Sequence, residues 1–203
     1  MRWTLGPAIA LAGLALCVGC TTTPDRQGLV TFKGAPITLR GHAVGVGDEA
    51  PDFTAVAPDL STQSLHDYHG KVVIISVVPS LDTRVCDTMS RRFNVEAGKL
   101  GAKAVVLTLS RDLPFAQKRW CGVADATNLQ VLSDFRDRSF GRSYGLEIAS
   151  GPLTGLLARA VLVVDRNGVV RYEEIVKDIA AEPNYDAAVQ AANSLADAGV
   201  PRL

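Results

Sequence analysis

The residues able to do chemistry gather around Cys86. In VVIISVVPSLDTRVCD, Val72 to Asp87, a nearly unbroken apolar run stops at Pro79, and a cysteine follows beside Asp82, Thr83, Arg84 and Asp87. A thiol reacts as its thiolate, so it needs surroundings that favour an anion. The pattern supplies them. Val85, Met89, Phe93 and Ala97 recur every four residues, with Arg91, Arg92, Glu96 and Lys99 between them. That spacing predicts an amphipathic helix starting around Asp82–Arg84 and stopping at Gly101, with Asp82 or Thr83 able to cap it. Cys86 then falls in the first turn, where unpaired N–H groups and the helix dipole favour negative charge. It lies off the apolar stripe, which puts the sulfur at the mouth of the helix within reach of an oxidant. The alternative is a small buried residue on the apolar side.

The rest of the chain must position that turn. Val72 to Val78 reads as a strand buried on both faces, since it has no polar alternation apart from Ser76. AVVLTLS and LQVLSD predict further strands, PFAQKRWCG a short helix opened by Pro114, and SFGRSYG a helical turn. GLVTFKGAPITLRG reads as an N-terminal hairpin, and ARAVLVVDRNGVVRYEEIV as a strand pair around Asp165-Arg166-Asn167-Gly168. Tyr185, Val189, Ala192 and Leu195 mark a C-terminal helix. Alternating strands and helices of this kind indicate an α/β domain of thioredoxin-like type. At 203 residues, 47% apolar and 21% charged, the chain suits one globular domain. Its 21 basic and 21 acidic residues argue against nucleic acid as a partner.

The first residues, MRWTLGPAIALAGLALCVGC, are of another kind. Arg2 precedes an apolar span and small residues, the layout of a secretory signal. Leu16-Cys17-Val18-Gly19-Cys20 resembles the bacterial lipobox. The expectation is a signal over residues 1–19, cleavage before a lipidated Cys20, a tether over 20–27 and a domain over 28–203. An uncleaved anchor is the alternative. The protein is then exported and held on the periplasmic side of the cell envelope, at the outer membrane where one exists, touching the membrane only through lipid. Of four cysteines, Cys86 and Cys121 stay in the folded domain. In an oxidising compartment two such thiols are paired, reactive, or both.

Pro79-x-x-x-Thr83-x-x-Cys86 resembles the active-site motif of the peroxiredoxins. With VTFKGAPITL, VGDEAPDF, RRFN, DLPFAQKRWCG and LLARAVLVVD, the chain is similar to the bacterial thiol peroxidases, the atypical two-cysteine branch, from about Leu29 to Leu195. The resemblance implies that Cys86 is the peroxidatic cysteine and becomes a sulfenic acid. It implies that Thr83 orients the peroxide, Pro79 shields the thiolate, and Arg159 donates hydrogen bonds to thiolate and peroxide. Cys121 is then the resolving cysteine, forming a disulfide with Cys86 within one chain. Position 91 is arginine, which disfavours the branch that resolves from there. Hydrogen peroxide and organic or lipid hydroperoxides are the implied substrates, a thioredoxin or thioredoxin-like protein the reductant, and a homodimer the implied assembly. No cofactor or metal is expected; His42, His66 and His69 lack a ligand cluster. Arg84 departs from the glycine common in those relatives. The rival readings are an exported thiol–disulfide oxidoreductase and a non-catalytic lipoprotein with a structural disulfide.

Overall fold

The structure, a computed structural model, describes residues 23–198. The expected signal, Cys20 and the start of the tether lie outside the described residues. β1 (Asp25–Phe32) and β2 (Ala35–Arg40) form the expected hairpin. Lys33 and Gly34 both have positive φ, 52° and 81°, which suits a tight two-residue hairpin turn. Because β1 begins at Asp25, the segment available as a tether is shorter than expected; cross-strand pairing claims its last residues, with Asp25 opposite Arg40 and Arg26 opposite Leu39.

β3 (Thr54–Val56) and β4 (Thr62–Ser64) lead through a short 3-10 turn, Leu65–Tyr68, to β5 (Val72–Val77). Then follow α1 (Arg84–Leu100), β6 (Ala104–Ser110), α2 (Pro114–Ala124), β7 (Gln130–Ser133) and the single-turn α3 (Ser139–Ser143). The chain continues with β8 (Glu147–Ile148), β9 (Ala160–Val164), β10 (Val170–Ile175) and α4 (Tyr185–Asp197). Seven strands form one sheet in the order β10-β9-β5-β6-β7-β3-β4, and β1, β2 and β8 form a second, smaller sheet. β5 pairs parallel with β6 and antiparallel with β9. This is the thioredoxin-like α/β fold that the alternating pattern predicts.

β5 is buried along its whole length because both faces are covered. Val73, Ile75 and Val77 join a core with Phe53, Phe140 and Tyr144. Val72, Ile74 and Val78 face the other core, with Met89 and Phe93 of α1 and Trp120 of α2. α1, α2 and α4 therefore lie on one side of the sheet. α4 turns inward on Tyr185, Ala188, Ala192 and Ala196 rather than on the expected Val189 and Leu195. Small alanines let it settle close to the strands.

Candidate active site

β5 ends one residue before Val78, whose N–H donates to the Leu109 carbonyl at 2.9 Å. The chain then turns through buried Pro79 into the segment Ser80–Thr83. Asp112, just beyond the end of β6, holds that turn. Its carboxylate accepts from Ser80 Oγ at 2.7 Å, from the Leu81 N–H at 2.8 Å and from Ser110 Oγ at 2.8 Å. Nothing in the spacing of the sequence marks Asp112 as a partner of a loop 31 residues away.

Thr83 is the N-cap of α1 by position, yet its side chain accepts no bond from the helix. The expectation of a Thr83 or Asp82 side-chain cap is therefore corrected. Thr83 Oγ1 instead stands 2.9 Å from Cys86 Sγ and 3.1 Å from the Ser80 carbonyl. A hydroxyl has one proton, so it can serve the carbonyl when the sulfur is a thiol and turn to the sulfur when it is a thiolate. The first helical bond runs from the Asp87 N–H to the Thr83 carbonyl, 2.9 Å. The N–H groups of Arg84, Val85 and Cys86 precede it and leave the positive end of the helix at the sulfur. Arg84 itself is exposed at the first helical position.

Cys86 is also placed differently from expectation. It is fully buried and belongs to the apolar face of α1 with Met89, Ser90, Phe93, Ala97 and Leu100, whereas Val85 is only half-buried. Met89, Phe93, Ala97 and Leu100 are buried as the period predicts, but at the first turn Cys86, three residues before Met89, takes the buried place expected for Val85. The sulfur is thus covered by its neighbours.

Arg159 precedes β9 and is 1% exposed. Its Nε donates to the Ile179 carbonyl at 3.0 Å, Nη1 to Met89 Sδ at 3.2 Å and Nη2 to Cys86 Sγ at 3.3 Å. Among the described residues no carboxylate pairs with it; its partners are one carbonyl and two sulfurs. A buried guanidinium needs its donors satisfied, and Cys86 Sγ takes one of them. The helical period marks Met89, part of this arrangement, only as a core residue. Thr83, Cys86 and Arg159 are therefore brought together, and Pro79 is buried in the loop that leads to them.

Cys121 sits apart on α2 as a half-buried free thiol, and Cys86 is free as well. Burial pushes the Cys121 thiol up from its ordinary value, which keeps it protonated while α2 is docked. Among the described residues no cluster of three or more His, Cys, Asp or Glu side chains could hold a metal.

The chain as a whole has similar counterparts among known proteins. Residues 45–189 match the Redoxin family. The thiol peroxidase of Bacillus subtilis is 52% identical over 166 residues, covering 82% of this chain and 97% of that one. The thiol peroxidase of Streptococcus pneumoniae strain R6 is 50% identical, covering 82% of this chain and 100% of its own. A crystal structure of a peroxiredoxin-like protein from Aquifex aeolicus superposes with a TM-score of 0.79 at 41% identity, covering 83% of this chain and 98% of that one. The chain belongs to the Redoxin family and, within it, to the thiol peroxidases of the peroxiredoxin group. Its activity is that of a thiol-dependent peroxidase.

Proposed function

We propose that the enzyme reduces hydrogen peroxide and organic hydroperoxides through Cys86, and that the resulting sulfenic acid condenses with Cys121 of the same chain. The thiolate of Cys86 attacks one peroxide oxygen, the O–O bond breaks, and the departing oxygen leaves as an alkoxide or hydroxide that takes up a proton. Negative charge moves from sulfur to the leaving oxygen. The Arg159 guanidinium and the N–H groups at the start of α1 are fixed in place before the reaction, so they stabilise that shift without reorganising. Thr83 offers its hydroxyl proton to thiolate or peroxide, and Pro79 keeps water from the sulfur. Cys121 then displaces the sulfenic oxygen as water and leaves a disulfide, which a thioredoxin-like dithiol reduces.

The observation that carries this reading is the buried guanidinium held 3.3 Å from Cys86 Sγ. Full burial of that sulfur favours a small substrate over a protein disulfide, which argues for peroxidase chemistry over general thiol–disulfide exchange. Export, lipid attachment at Cys20, lipid hydroperoxides as substrates and a homodimer belong to the same proposal and rest on the sequence and on family resemblance. Labelled palmitate incorporated into the intact chain and lost in Cys20→Ala tests the anchor.

The decisive experiment replaces each thiol. Cys86→Ser is expected to abolish reaction with peroxide, and Cys121→Ser to consume one equivalent and stop at a sulfenic acid. A Cys86→Ser protein that consumes peroxide like the native one would refute the assignment. Comparable rates with a protein disulfide and with peroxide would favour the oxidoreductase instead.

A further inference from the structure

The side chains flanking the two thiols hold each other. Asp87, next to Cys86 on α1, accepts a hydrogen bond at 2.8 Å from the indole Nε1 of Trp120, next to Cys121 on α2. Arg91, one turn along α1, donates Nε to both Asp87 oxygens at 2.9 and 3.0 Å, and Nη1 to the Ala124 carbonyl at the end of α2 at 3.2 Å. One carboxylate and one arginine thus fasten the helix of the first sulfur to the helix of the second.

Beyond this, α2 packs Cys121 and Ala124, both partly buried, against the core it shares with α1, and Arg119 makes an exposed ion pair with Asp82 at 3.6 Å. The buried residues of α2 are Pro114, Gln117 and Trp120, while Phe115 is 66% and Val123 76% exposed. Gln117 is secured by one bond to Ser110 Oγ at 3.1 Å, and its own oxygen is buried without a partner. A helix with so few buried apolar groups lies at the low end of local stability, so the Trp120 anchor carries a large share of its docking.

The two thiols are free and sit on different helices, so a disulfide between them, which needs its Cα atoms within about 7 Å and its Cβ vectors converging, calls for a rearrangement of the turns that carry them. Asp87 and Trp120 are each one residue from a sulfur that moves. We propose that the Asp87–Trp120 hydrogen bond, buttressed by Arg91, is a latch that sets the rate of disulfide formation. This rests on the reading of Cys86 and Cys121 given above. Closed, the latch keeps the Cys86 pocket intact for peroxide. By delaying resolution it also fixes the peroxide concentration at which a second reaction wins. Cys86–SOH and Cys121–SH give the disulfide and water, whereas Cys86–SOH and a second ROOH give Cys86–SO2H and ROH. A tighter latch therefore makes the enzyme easier to over-oxidise. Asp87 and Trp120 are positioning residues that touch neither substrate nor reacting sulfur.

Trp120→Phe in the full chain tests this, since it keeps the ring and removes only the donor; Asp87 remains paired with Arg91. A hydrogen bond to a charged group is worth roughly ten- to a hundredfold in an equilibrium. Rapid quenching, alkylation and mass spectrometry follow sulfenic acid, disulfide and sulfinic acid separately. The expected result is a first step unchanged within about twofold and disulfide formation faster by about tenfold or more. The peroxide concentration giving half sulfinic acid should rise by the same factor. Asp87→Asn, which weakens the same bond, should move resolution in the same direction. Because both changes act on one contact, the double variant should be no faster than the faster single one. Disulfide formation that is unchanged or slower in both single variants, with a normal first step, overturns the latch. Failure of the underlying reading looks different: the native chain would then form no sulfenic acid at all.

Discussion

Replacing Arg159 by lysine isolates what the guanidinium contributes beyond charge. In the structure three nitrogens of this buried side chain have separate partners: Ile179 O at 3.0 Å, Met89 Sδ at 3.2 Å and Cys86 Sγ at 3.3 Å. An ammonium concentrates its donors at one point and cannot span three directions from the same stem. A lysine that reaches the sulfur abandons Ile179, and one held at Ile179 leaves thiolate and peroxide without their fixed donor. Loss of one preorganised donor to a developing oxyanion costs about 2.7–4 kcal/mol, on the order of 10²–10³ in rate. Arg159→Lys is therefore expected to slow the second-order reaction of Cys86 with hydrogen peroxide by roughly 10²-fold. The assay is single-turnover thiol loss in a Cys121→Ser background, which removes the resolving step. Arg159→Met supplies the control for folding. Methionine fills the buried site without a charge, so Tm should stay within about 5 °C of native. A lysine variant within threefold of the native rate (about 0.6 kcal/mol) would refute the claim that fork geometry matters.

Three further outcomes follow from the same contacts. Thr83→Ser keeps the hydroxyl 2.9 Å from Sγ and should react at close to the native rate, whereas Thr83→Val should lose about ten- to a hundredfold in the peroxide step. Asp112→Ala strands the Leu81 N–H and two serine hydroxyls; urea unfolding should show a loss of about 2–3 kcal/mol, and the peroxide step should slow as the Pro79–Thr83 loop loosens. Asp178 accepts from Ala180, Lys33 and Gly34 N–H groups, and the bond from Ala180 is the first cause holding its carboxyl below the ordinary 3.8. A depressed acid stabilises the fold above its unfolded value and loses that contribution as pH falls through the folded one. Protection of the hairpin-tip amides from hydrogen exchange should accordingly weaken below about pH 4, and Asp178→Asn should be insensitive to pH there.

Much of the architecture was readable one segment at a time. An uninterrupted Val/Ile run means a strand covered on both faces, a four-residue apolar period means a helix, and Lys33-Gly34 or Asp165-Gly168 means a turn. These signals are local, since each reflects steric and burial preferences within a few residues, and so β5, α1 and the N-terminal hairpin emerged close to their observed limits. The place of Cys86 in the first turn was local in the same sense. Which way that turn faces was not: a shift of one position separates an exposed sulfur from a covered one, and packing of Met89 and Phe93 on the sheet decided it. Asp112 acts on a loop 31 residues earlier, and Arg159 on a sulfur 73 residues earlier. The position of Arg159 was available from family resemblance but not from any periodicity in this chain. The grip of Asp87 on Trp120 left no trace in spacing at all. Contacts of this kind depend on strand order, which sets β9 beside β5 and α2 beside α1, and strand order is a property of the whole chain competing for one core.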